Sequence, residues 1–113
     1  MIVQVLQIIA AIGTIFTGFI SLIWPRSVRG FTGLSAESGR GITEIRAVLG
    51  GFFVALGAAP LILNATAAYQ MLGIAYLVVG GTRAVSMFVD RSVVQSNIIS
   101  LVVEIVFGVV LVL

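Results

Sequence analysis

A chain of 113 residues that is 60% hydrophobic and 9% charged, with a mean hydropathy of +1.26, is too apolar for a soluble domain of its size, and a single membrane domain over residues 1–113 is expected. It holds no cysteine and no histidine, which removes dithiol exchange, thiolate nucleophiles and the usual nitrogen ligands of zinc, copper and haem, so no metal or cofactor is expected. All six cations are arginine, and the net charge of +2 reads as membrane topology rather than nucleic-acid binding, because no basic run is interleaved with aromatics.

Crossing a hydrocarbon core takes about 20 helical residues at about 1.5 Å each. Four stretches reach that length, residues 2–24, 42–63, 67–89 and 93–113, and they predict an all-α integral membrane protein, an antiparallel four-helix bundle. The first stretch lacks a basic leader, is long for a signal segment, and runs into Trp24, Pro25 and Arg26 instead of a small-residue cleavage site, so a retained first span is expected. Trp24 is an interfacial aromatic, and Pro25 cannot continue the helical hydrogen bonding.

The connection over residues 25–41 carries Arg26, Arg29, Glu37 and Arg40 among serine and glycine. Val28, Phe31 and Leu34 recur at intervals of three, which fits either a short stretch lying in the interface or a plain solvated connector. The second span holds Pro60 near its far end and stops about Asn64, with Thr66 expected to cap the third span. The third span ends at Asp90 and Arg91, with Ser92 expected to cap the fourth. In this topology Arg26, Arg29, Arg40 and Arg91 lie in loops on one face, and Arg46 lies just inside it. The positive-inside rule makes that face cytoplasmic in a plasma membrane, with both termini outward.

In lipid, helices approach through small residues and bond across through polar ones. Such stripes are Ala10, Thr14 and Gly18 in the first span, Ala47, Gly51, Ala55 and Ala59 in the second, and Gly73, Gly80 and Ala84 in the third. In the fourth, Ser96, Ser100, Glu104 and Gly108 repeat every four residues on one face that is expected to look inward. Glu104 falls about 16 Å along the helix from Val93, near the bilayer midplane, so it either carries its proton or is paired.

The candidate partner is Arg83, on one helical face with Ser86 and Asp90. Glu44 and Arg46 are expected at the same membrane level, so a charged cluster of Glu44, Arg46, Arg83, Asp90 and Glu104, with Ser86 beside it, is predicted. Such a cluster is either a site for a polar head group, a small anion or a proton, or an internal salt-bridge lock that sets helix register. Tyr69 and Gln70 read as interfacial anchors.

Glu44-Ile45-Arg46-Ala47 followed by Gly50-Gly51 and Gly57, then Gly80, Arg83, Ser86 and Asp90, and finally Glu104, together resemble a bacterial family of small four-helix membrane proteins of unknown function. The resemblance runs from about Glu44 to the end. Leu49 departs from it where an aromatic often precedes the glycine pair, and so does Arg91 where a glycine often follows the aspartate. More distantly the architecture is similar to DoxX-type and Erg28-type four-helix proteins, whose members include accessory and scaffolding subunits.

Three functions follow from these readings. The first is a non-catalytic accessory or scaffold protein packing against other membrane subunits or a second copy. The second is a binder of a lipid, quinone or similar amphiphile, with Arg46 and Arg83 facing the head group. The third is a small oligomeric transporter or channel using Glu104. No nucleophile with a neighbouring base is visible, so no enzyme is expected. The expected partners are membrane lipids and membrane proteins, not nucleic acid.

Overall fold

Backbone groups in hydrocarbon find no water, so a chain this apolar must satisfy them internally. The computed structural model, which describes residues 1–113, does so entirely with helices. Helix α1 spans Ile2–Ile23, a 3-10 turn follows at Pro25–Ser27, and α2 is the short Val28–Thr32. Helix α3 runs from Gly39 to Leu63, α4 is Thr66–Val89, and α5 is Gln95–Val112. All but α2 are long and apolar enough to cross a membrane.

Helix α3 begins three residues before the expected Ile42 because Ser38, extended at φ −147° and ψ 169°, caps it: its hydroxyl accepts from the Gly41 amide at 3.3 Å. The helix then loosens into a π stretch over Ile45–Phe52 and returns to α geometry through Pro60. It stops at Asn64, which adopts the left-handed conformation at φ 47°. The two other expected caps do not form. Thr66 is the first residue of α4 and Ala65 occupies the cap position, while Val94 precedes α5, and neither end has a side-chain cap. Ser92 instead gives its amide to the Met87 carbonyl at 2.9 Å, closing a turn in which Arg91 is left-handed at φ 52°.

The chain divides into two compact units, residues 11–64 and residues 1–10 with 65–113. In the first, α1 and α3 meet backbone to backbone. A Cβ on Gly57 would lie 2.5 Å from the Ala11 carbonyl oxygen, and one on Gly18 would lie 2.7 Å from the Gly50 oxygen. Only glycine permits this approach. The inward residues of α3 are therefore Ile45, Gly50, Gly57 and Pro60, while Ala47, Gly51 and Ala55 are exposed. Three residues of the expected packing stripe of the second span thus face outward, and the fourth, Ala59, is half-buried.

In the second unit α4 and α5 form a close antiparallel hairpin. Gly73 lies against Leu111 and the Gly108 carbonyl, Gly108 against Leu77, and Gly80 against Ile105 and Glu104. Tyr76 and Phe107 meet edge to face with ring centroids 5.5 Å apart. Near the start of α1, the buried Gln7 amide donates to the Val110 carbonyl at 3.1 Å, satisfying carbonyls at the end of α5 that have no partner within the helix.

Candidate functional site

The hairpin of α4 and α5 carries the one acid buried among the apolar helices. Glu104 follows Gln95 by nine residues, about 13 Å of helix, which puts it near mid-span. Helix α5 comes close enough there because Gly80, one turn before Arg83, has no side chain: a Cβ at position 80 would fall 2.9 Å from the Ile105 Cδ1 atom. Arg83 then faces Glu104 in the paired, fork-to-fork geometry. Its Nε donates to Oε1 at 2.7 Å and its Nη2 to Oε2 at 2.8 Å. The third nitrogen, Nη1, donates to the Asn97 Oδ1 at 2.9 Å, and the Asn97 amide nitrogen donates to the Ser92 carbonyl at 2.8 Å.

A single run of hydrogen bonds thus joins the acid of α5, the arginine of α4 and the turn between them. The Glu104 side chain is 11% exposed and that of Arg83 29%. The guanidinium therefore borders an open cleft of about 330 Å³ whose lining includes Thr82, Ser86, Met87 and Asn97. Its charge is matched by the carboxylate inside the hairpin, and every buried side-chain polar atom of the chain has a partner. The arrangement holds two helices in register, and it leaves no net cation at mid-span for a bound anion.

The other residues expected in the cluster bond elsewhere. Asp90 accepts from the Ser86 hydroxyl at 2.6 Å on the same face of α4. Glu44 pairs with Arg40 one turn before it on α3, both well exposed. Such an exposed i,i+4 pair contributes a few tenths of a kcal/mol, about 0.3–0.5. The Arg46 side chain makes neither an ion pair nor a hydrogen bond; it lines a cleft with Trp24, Arg26 and Ile42.

Two residues lining these clefts escaped the sequence reading. Asn97 stands seven residues before Glu104 and so on its inward face, a heptad spacing that marks it once the acid is the reference point. Arg26 looked like an ordinary loop cation, and nothing in its neighbourhood in sequence distinguishes it.

No curated protein and no solved structure matches this chain. The sequence model of one family does match, over residues 2–113, and the chain belongs to that family, the Domain of unknown function (DUF4345).

Proposed function

We propose that this chain is a non-catalytic integral membrane protein that packs against other membrane helices, those of a second copy or of a partner subunit. The observation that carries this reading is the outward face of α3. Ala47, Gly51 and Ala55 stand at four-residue spacing on the exposed side, while the neighbouring Gly50 and Gly57 are spent on α1. A small-residue face directed at lipid gains nothing from lipid, and it permits the close backbone approach by which membrane helices associate. The self-contained Arg83–Glu104 pair supports the same reading, since it holds a scaffold in register without presenting a reactive group.

The distant similarity in architecture to DoxX-type and Erg28-type proteins, whose members include accessory and scaffolding subunits, supports the same reading. We place it in a bacterial plasma membrane, and the positive-inside rule supports an orientation with the arginine-bearing connections cytoplasmic and both termini outward.

Native mass spectrometry of protein extracted gently from its own membrane tests the proposal. The expected result is a stoichiometric second copy or protein neighbour that is lost in Gly51→Leu and kept in Gly81→Leu. The nearest atom to a Cβ at position 51 is the Arg46 carbonyl oxygen at 3.7 Å, so the substitution fits the protomer itself. A bare protomer from the wild type refutes the reading.

A further inference from the structure

The distribution of charge between the two units singles out one end of the molecule. Residues 11–64 hold four arginines, Arg26, Arg29, Arg40 and Arg46, against two acids, Glu37 and Glu44; the remaining residues hold Arg83 and Arg91 against Asp90 and Glu104. The whole net charge of +2 therefore resides between positions 26 and 46. Within that stretch the only ion pair is Arg40 with Glu44. Two of the three arginines left over, Arg26 and Arg46, face the same cleft.

This cleft, about 480 Å³, opens where α1 ends. Its volume lies within the range of roughly 300–1,000 Å³ typical of small-molecule sites. Its lining is apolar at Ile23, Trp24 and Ile42 and basic at Arg26 and Arg46. Trp24 is 59% exposed at the end of a membrane span, the position where indole rings sit at the level of lipid head groups.

The backbone holding both arginines is fixed. Arg26 sits in a 3-10 turn begun by the buried Pro25, closed by the Ser27 amide and hydroxyl on the Trp24 carbonyl at 3.0 and 2.6 Å, and anchored by the fully buried Val28. Arg46 is the second residue of the π stretch of α3, a helical deviation found frequently at functional sites.

We infer that Arg26 and Arg46 bind the phosphate of an anionic phospholipid head group, with Trp24 at the interface and an acyl chain along Ile23 and Ile42. Guanidinium forks match phosphate oxygens in pairs, and basic pockets at the ends of membrane helices are a recurring means of head-group recognition. A lipid fits the site better than a free anion because Ile23, beside the cleft at the end of a membrane span, is 45% exposed, an apolar surface that an acyl chain covers and an inorganic ion does not. Arg83 is no competitor for this role, since its charge is already met by Glu104. This site goes beyond the packing role proposed above and stands or falls independently of it.

The test is lipid titration followed by native mass spectrometry on the purified full-length chain in a neutral detergent, with phosphatidylglycerol, phosphatidylcholine and inorganic phosphate as probes. The wild type retains phosphatidylglycerol in preference to phosphatidylcholine. Arg26→Gln and Arg46→Gln each weaken phosphatidylglycerol about fivefold and together about 25-fold, whereas Arg91→Gln changes it less than about twofold. Arg26→Lys with Arg46→Lys keeps the charge but gives up the guanidinium fork, so it retains the preference at a level between the wild type and the double glutamine variant; a loss as large as that of the glutamine pair overturns the assignment. Equal retention of the two lipids, an equal loss in Arg91→Gln, or displacement of phosphatidylglycerol by an equimolar amount of inorganic phosphate overturns the assignment.

Discussion

Removing the carboxylate of Glu104 while leaving Arg83 in place isolates a guanidinium within a membrane span, with only the Asn97 oxygen as a partner. Deleting one member of a buried ion pair costs about 3–5 kcal/mol, and insertion scales assign about 3 kcal/mol to a lone arginine at the centre of a membrane helix. The Arg83 side chain is 29% exposed and borders a cleft toward Ser86, so it can relax outward. That places Glu104→Leu at the lower end, about 3 kcal/mol.

Arg83→Leu is expected to cost less, about 1–2 kcal/mol, because a carboxyl group left alone can neutralise itself by binding a proton and a guanidinium cannot. The double variant removes both charges and fills the space with apolar groups, at a cost of about 1 kcal/mol or less. The pair is thus coupled by at least about 3–4 kcal/mol.

Equilibrium unfolding in mixed micelles of a mild detergent and sodium dodecyl sulfate measures all four corners of this cycle. Additivity within about 0.5 kcal/mol refutes the lock. So does a Glu104→Leu variant no less stable than Arg83→Leu. Exchanging the two residues restores stability only in part, because the carboxylate brought to position 83 then meets the Asn97 oxygen, an acceptor facing an acceptor, unless that amide turns over.

Gly57→Ala is expected to lose about 2 kcal/mol, since its methyl would sit 2.5 Å from the Ala11 carbonyl oxygen and 2.8 Å from the Ile15 nitrogen, and backbone must move. Gly81→Ala meets nothing within 4 Å in a regular stretch of α4, and gains up to about 1 kcal/mol from helix propensity; the same unfolding assay separates the two, and equal stabilities contradict the close packing of α1 on α3. Asn97→Ala removes the acceptor on Arg83 and the donor to the Ser92 carbonyl together, which lowers stability by about 1–2 kcal/mol and speeds amide hydrogen exchange in the turn between α4 and α5. Unchanged exchange there refutes the tethering role of Asn97.

The four long helices were legible because membrane crossing imposes a length and a composition that can be read one residue at a time. Their ends were legible wherever a residue acts through its own backbone, as Pro25 does by lacking an amide and Asn64 by tolerating the left-handed conformation. The caps at Thr66 and Ser92 were misread, and Ser38 was missed, because serine and threonine serve equally as caps, first-turn residues and turn formers, and only the surrounding geometry selects among these.

Glu104 announced itself as an isolated acid in an apolar segment, and Arg83 as the nearest cation able to reach it. The choice of partners for Glu44 and Asp90 was less visible. Each found one turn away on its own helix, in Arg40 and Ser86, what the sequence reading sought across helices.

Composition and spacing by themselves determined that this is an all-helical membrane protein with one acid at mid-span needing a partner, since both follow from the cost of exposing backbone and charge to hydrocarbon. Which of two adjacent glycines in α3 turns inward, and therefore which face remains for another helix, was decided by tertiary structure. The π stretch over Ile45–Phe52 departs from the 3.6-residue period on which any reading of helical faces depends, and the approach of α1 at Gly57 settles the phase. Tertiary structure likewise brought Arg26 and Arg46, twenty positions apart, to one cleft, because the turn after α1 and the first part of α3 meet only in the folded chain.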